Sequence, residues 1–314
     1  MTIIKTSEES QMNLKTVTSG DLTWVDITQP TKEATKYLAE HYNFNPLDLE
    51  DALSARQVSK IEEYPEYLFV IFHLSVYDKS TRISTRKQWS AFVGANFLVT
   101  MHPPELKAAS ELFRECEQRE ESREQYMSQG SGYLLYQILD GAVERYFKVL
   151  DKILSFIEDI EDAVFKEDVE VASQLSFIRR DIINQRQVMF PSRALLGELE
   201  KKLKQFSKTK LTLYFSDLMD HMNKICNTLD EYTEMVEVFK DSDYLLSGYR
   251  ANRAMRAIAI LLAISLPFLV VGFIYFMLPG SPEKGSLQTF VALLIIAAIL
   301  VSITLYTLRR NNSI

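Results

Sequence analysis

The chain has 314 residues, 47% hydrophobic and 25% charged, which excludes a disordered tail and a fibrous repeat. Its 35 Lys and Arg against 42 Asp and Glu give a formal charge of −7, so no nucleic-acid partner is expected. Two cysteines, Cys116 and Cys226, exclude a disulfide-built scaffold.

The first residues, MTIIKTSEES, lack a signal-peptide pattern. Leu22–Val25, Tyr67–Val76 and Ala91–Thr100 are rich in β-branched and aromatic residues and read as strands, the last as a hairpin around Gly94-Ala95-Asn96. Thr31–His41 and Pro46–Ser54 read as helices, the first with Thr31 as its cap. Residues 1–105 are therefore expected to form a cytosolic α/β domain.

Residues 106–210 read as helical. A charged helix is expected over Glu105–Gln125, a break at Gly130–Gly132, and long helices over Tyr133–Phe165 and Val169–Phe190, with Pro191 kinking or ending the last. The interleaved charges of 111–124 are those of a solvated face.

Leu211–Leu278 contains no strong breaker before Pro267. Its 68 residues would make a helix about 100 Å long, too long for one globular domain. Residues 211–256 read as a stalk that continues into a membrane. Leu218, Met222, Ile225, Leu229, Tyr232, Val236 and Phe239 alternate spacings of 4 and 3, a seam for packing against other helices. A neighbouring stripe runs Asp217, Asp220, Lys224, Asn227, Glu231, Glu234, Val238, Asp241, Leu245, Gly248, Asn252. It carries five carboxylates against one lysine. On one helix this is a solvated face; around an axis it becomes an acidic lumen that concentrates cations.

Residues 257–278 and 287–308 are each 22 residues without a charge, about 33 Å as helices, and are expected to be two transmembrane helices. Arg250, Arg253 and Arg256 precede the first; Arg309 and Arg310 follow the second. This places the 279–286 loop outside and both termini, including the 309–314 tail, in the cytoplasm of a multi-pass plasma-membrane protein. Tyr249, Tyr275 and Tyr306 suit the interfaces. From residue 250 onward there are six bases and one acid, which leaves 29 bases and 41 acids, net −12, in the body. The expected class is thus an α+β membrane protein: a cytosolic α/β domain, a long helical stalk and two C-terminal transmembrane helices.

Enzyme chemistry has no visible seat. The histidines are scattered, the cysteines lie 110 residues apart, and neither a phosphate-binding Gly-rich loop nor a Gly-x-Ser-x-Gly turn is present. No enzyme activity and no cofactor are expected.

Several segments resemble the CorA family of magnesium transporters. FNPLDLEDAL (44–53) with VSKIEEYPEYLFVIF (58–72), TWVDITQPT (23–31), NFLVTMH (96–102), DLMDHMNKI (217–225) and RANRAMRAIAILLAISLPFLVVGFIY (250–275) are similar to its recurring stretches, so the resemblance covers nearly the whole chain. It implies a homopentamer in a lipid bilayer, a cytosolic funnel above a two-span pore, and passive transport of divalent cations. Mg²⁺ comes first as transported and regulatory ion, with Co²⁺, Ni²⁺ and Zn²⁺ as further cargo. It also implies metal contacts at Asp217, Asp241 and Asn252. Asp217 matches a regulatory carboxylate, with Asp78 as a guessed partner; a surface carboxylate is the competing reading. Met255, Ile258, Leu262, Leu266, Leu269, Phe273 and Phe276 would line the pore and form a hydrophobic gate. A potential of 100 mV supplies about 4.6 kcal/mol for a divalent ion.

The chain departs from the family after the first span. Tyr275, Phe276, Met277 and Leu278 stand where the family has Tyr-Gly-Met-Asn, so the Gly and the Asn are replaced. The alternatives are a CorA-fold scaffold or sensor that conducts little or nothing, or a pore of altered selectivity. The tail also departs, with two arginines in place of the family's lysine cluster.

Overall fold

The computed structural model describes residues 13–54, 56–78, 83–165 and 171–277, and helical positions 291–292, 294–299, 301–302 and 306. The chain divides into two units, Met1–Phe239 and Lys240–Ile314.

The first unit is built on a six-stranded sheet. β1 (Leu14–Ser19) and β2 (Leu22–Thr28) form a hairpin whose turn uses Gly20 at φ +57°, a left-handed conformation that glycine adopts without penalty. After helices α1 (Lys32–His41) and α2 (Pro46–Leu53) come β3 (Lys60–Glu63), β4 (Tyr67–Asp78), β5 (Ile83–Gly94) and β6 (Phe97–His102). The sheet order is β1-β2-β6-β5-β4-β3, and only β2 and β6 pair in parallel, with Trp24 opposite Leu98. Thr31 caps α1 as expected, its hydroxyl accepting from Ala34 N at 3.3 Å.

Both faces of this sheet are covered, which explains why β4 reads as an unbroken apolar run rather than an alternation. On one face Phe69, Phe92, Ile27 and Met101 pack with Ala34, Leu38 and Phe44 from the α1–α2 side. Each of the larger of these side chains contributes about 1.5–3 kcal/mol by burial. On the other face lie α3 (Lys107–Gln118), α5 (Ser131–Phe165) and α6 (Val171–Leu203), with α4 (Glu120–Met127) between α3 and α5 in sequence. Trp24 meets Phe113 of α3 edge-on at 5.0 Å. The buried carboxylate of Asp181 on α6 accepts from Ser84 N at 2.6 Å, Ser84 Oγ at 3.1 Å and Gln185 Nε2 at 3.0 Å, and so fastens α6 to β5.

The structure corrects several expectations. The single helix over 105–125 is two, because Arg119 adopts extended angles (φ −125°, ψ 125°) between them. Arg123 Nε satisfies the Cys116 carbonyl at 2.9 Å where α3 ends. Pro191 lies inside α6, which runs on to Leu203. Burial of Met189, Leu196 and Leu199, and the 2.8 Å bond from Ser192 Oγ to His73 O, hold the helix on both sides of it. Strands β1, β3 and the first half of β5 were not expected. They are short or polar, and β5 is set by its pairing with β4, from Tyr67–Gly94 to Asp78–Ile83.

The FNPLDLEDAL segment (44–53) places Asp48 in a polar cluster at the β3–β4 edge. Asp48 is 1% exposed and accepts from Tyr64 OH at 3.3 Å and Tyr67 OH at 3.2 Å. Burial, then the neighbouring Glu62, pushes its carboxyl up to about 6. The folded state therefore holds an extra proton between the ordinary carboxylate value and about 6, and stability falls as pH rises through that window. Asp48→Asn keeps an acceptor for the tyrosines and supplies a donor toward Glu62. It is expected to stabilise the protein by about 1 kcal/mol at pH 7.5, with the gain gone below pH ~4. Thermal melts of parent and variant across this range measure it; a gain unchanged at low pH would remove the titration from the account.

A single helix, α7 (Thr212–Met277), supplies residues to both units and carries Pro267 inside it. In the second unit its residues from 251 to 273 form a 23-residue stretch that contains an 18-residue window of mean hydropathy 2.3. It is the one helix among the described residues long and apolar enough to cross a membrane. Residues 279–286, 287–290 and 309–314 of the expected loop, second span and tail lie outside the described residues.

Candidate functional site

Within the first unit the two registers of α7 separate by exposure. Leu218, Met222, Ile225, Leu229, Tyr232 and Val236 of the seam are buried, and Phe239 is half-buried. Polar bonds reinforce the seam: Arg186 meets Asp230 and Arg179 meets Glu237, each at 2.7 Å, and Tyr232 OH donates to Leu150 O at 3.4 Å. The adjacent stripe, Asp217, Asp220, Lys224, Asn227, Glu231, Glu234 and Val238, is exposed throughout. The apolar register is thus consumed by the fold, while the acidic one is left bare.

At the N-terminal end of that stripe three metal-ligating side chains converge. Asp217 and His221 stand four residues apart, hence on one helix face, and Asp140 reaches them from α5. A ligand atom from each lies within 4.8 Å of the others. Asp217 is exposed; Asp140 and His221 are half-buried. Two of the polar atoms, Asp140 Oδ1 and His221 Nδ1, are buried without a hydrogen-bond partner among the described residues. An orphaned acceptor of this kind costs about 1–3 kcal/mol unless something fills its place. Burial, then the like charge of Glu144, pushes the Asp140 carboxyl up; Asp217 adds to this and His221 opposes it. The same two aspartates, after burial, raise the Tyr136 hydroxyl. Phe147 stands edge-on to His221 at 5.9 Å and holds Lys224 Nζ over its ring at 5.5 Å, a cation beside the acidic group. Two carboxylates and an imidazole suit a divalent cation. Its charge would relieve the repulsion between the carboxylates.

Of the expected metal residues the structure therefore brings Asp217 together with Asp140 and His221, and with neither Asp241 nor Asn252. Those two belong to the second unit, where both are exposed. Asp78, at the end of β4, is outside the cluster. Asp140 was missed because a lone carboxylate in SGYLLYQILDGAV carries no spacing to mark it. His221 had a signal, the Asp-x-x-x-His step from Asp217, that a search for paired histidines passes over.

In the second unit Met255, Ile258, Leu262, Leu266, Leu269 and Phe273 are all exposed, at 53–71%. Leu261 and Val270, off that line, are exposed too, so exposure in one chain does not by itself select the inward face. The side chains of Tyr275, Phe276 and Met277, and the whole of Leu278, lie outside the described residues.

The sequence matches the family model for CorA-like Mg²⁺ transporter proteins over residues 19–310. The chain belongs to the CorA family. Its relatives include the cobalt/magnesium transport protein CorA of Thermotoga maritima, 24% identical over 260 residues, covering 82% of this chain and 73% of that one. Among solved structures, the CorA magnesium transporter of Methanocaldococcus jannaschii superposes with a TM-score of 0.78 at 20% identity, covering 94% of this chain and 92% of that one. Full-length CmaX superposes with a TM-score of 0.73 at 17% identity over 92% of this chain and 88% of its own. CorA membership makes this a chain of a metal-ion transporter family rather than of an enzyme family. The likeness over the sheet and the long helix is one of fold.

Proposed function

We propose that the protein conducts divalent metal cations passively across the plasma membrane as a homopentamer. The observation that carries this reading is the bare acidic stripe on the helix that also holds the apolar stretch 251–273. Five copies around an axis would turn the stripe, through Asp241 and Asn252, into a cation-concentrating lumen. The positions Met255, Ile258, Leu262, Leu266, Leu269, Phe273 and Phe276 would then form a constriction that excludes water and gates by dewetting. Residues 287–308 form the second span, and both termini are cytoplasmic. Mg²⁺ leads as cargo, with Co²⁺, Ni²⁺ and Zn²⁺ behind it.

The Asp140–Asp217–His221 cluster serves as the regulatory metal site. Bound metal pins α7 to α5. Without it, two carboxylates within reach of each other repel, and α7 is freed to shift. Hard Mg²⁺ takes the carboxylates and keeps its waters, whereas the imidazole adds affinity for Co²⁺, Ni²⁺ or Zn²⁺.

The test is metal uptake into liposomes carrying the purified chain under an inside-negative potential. Entry of Mg²⁺ or of a transition metal, saturating with concentration, is expected. A sealed, correctly inserted preparation that admits none of the four ions would favour the scaffold reading that Phe276 and Leu278 support.

A further inference from the structure

Between the sheet and α5 lies a cavity of about 400 Å³ that the transport reading does not use. Its volume falls in the range of about 300–1,000 Å³ typical of small-molecule sites. Leu74, Val76, Trp89, Leu106, Ile138 and Leu139 supply an apolar wall. Its rim is cationic. Arg145, Lys148 and Lys152 follow one another on a single face of α5, and Lys107 comes from the start of α3. Arg145 is engaged by Glu111, and Lys152 lies over the Tyr77 ring at 5.3 Å. Lys107 and Lys148 make no ion pair among the described residues. The one acid at the rim, Glu105, is held by Lys87 at 2.7 Å.

A second observation is independent of the rim. Trp89 is 3% exposed, yet its indole N–H has no acceptor among the described residues. The other tryptophan shows the ordinary outcome: Trp24 Nε1 donates to Thr100 Oγ1 at 3.0 Å. A buried indole N–H normally finds a partner, and leaving one unmade costs about 1–3 kcal/mol.

We propose that this cavity binds an anionic amphiphile: an acyl chain that lies against the Leu74–Trp89–Leu139 wall, with a terminal anion on Lys148 and Lys152. The apolar wall selects the chain, and the unbalanced rim charge selects the sign of the head. A carboxylate and a phosphate monoester share this chemistry.

The full chain in lipid nanodiscs, carrying Trp24→Phe so that Trp89 alone emits, reports on occupancy. Titration with 11-bromoundecanoate is expected to quench Trp89 saturably, because bromine quenches only at contact. Dodecanoate and dodecyl phosphate are expected to reverse the quenching, and the stronger competitor identifies the head group. Lys148→Glu with Lys152→Glu, at exposed positions that leave packing intact, should raise the half-saturating concentration at least tenfold. Ala142→Phe should abolish quenching by filling the cavity with the rim charges in place. Quenching that rises linearly without saturation, or that the charge-reversed variant leaves unchanged, would overturn the proposal. Absent quenching with disulfide cross-linking of Lys148→Cys between copies would also overturn it, and would assign the cavity to a subunit contact.

Discussion

Replacing Phe276 with Gly and Leu278 with Asn in one chain is expected to raise Mg²⁺ uptake into liposomes by about tenfold or more, a barrier lowered by about 1.4 kcal/mol. The reason lies in what a hydrated ion needs at the outer mouth. Mg²⁺ sheds its waters reluctantly, so it must be received with its shell, by groups that accept hydrogen bonds from that shell. In the family resemblance an Asn side chain and nearby carbonyls do this. Leu278 offers no acceptor, and the Phe276 ring replaces a residue with no side chain. Leu278→Asn alone should give a smaller gain, because the aromatic ring still crowds the approach. Leu278→Ile should change nothing. Tracer or indicator uptake with the parent and the three variants side by side decides it. Equal flux in parent and double variant would locate the barrier deeper, at Leu266, Leu269 and Phe273, and the next substitutions belong there.

What the sequence disclosed follows from how locally each signal is written. The seam from Leu218 to Val236 was legible because its period is carried within one helix, and each of its members to Val236 is buried. The β4 run and the β5–β6 hairpin were legible because apolar content is dense there. β1 and β3 were not: LKTVTS and KIEE are edge strands, held by backbone pairing to a neighbour rather than by their own composition. The helix does not end at Pro191, because tertiary burial on both sides prevails over the local rule. The metal cluster shows the same limit. Asp217 and His221 share a helix face and a readable spacing. Asp140 lies 77 positions earlier, and only the docking of α5 along the α7 seam brings it to them. Two of the cluster's three ligands were therefore local, and the third joined them only once two long helices had packed.

Removing either carboxylate of that cluster is expected to raise the metal concentration needed to protect the protein from protease at least tenfold. In the parent, a divalent cation held by Asp140, Asp217 and His221 ties α5 to α7, so opening must first release the ion; binding to the closed form alone stabilises it in proportion to ln(1 + [L]/Kd). Asp140→Asn and Asp217→Asn each remove one charged ligand and leave the shape nearly unchanged. The metal-free variants should resist protease better than the metal-free parent, because each also removes one of two like charges brought close together. His221→Gln separates the ions: protection by Co²⁺ and Ni²⁺ should suffer more than protection by Mg²⁺, which prefers oxygen. The pH dependence has a definite sign. The Asp140 carboxyl sits above its ordinary range in the metal-free protein, so protons compete with metal at a milder acidity than for a solvent-exposed aspartate. Both carboxylates and the imidazole must be free of the competing proton to hold the metal, so half-protection should need more metal as pH falls from 7.5 toward 5. Asp140→Asn should flatten that slope as well as weaken binding, a pairing of effects that mere loosening of the helix pair does not produce. Full protection of Asp217→Asn at the parent's metal concentration would take the cluster out of regulation and return Asp217 to the surface-carboxylate reading.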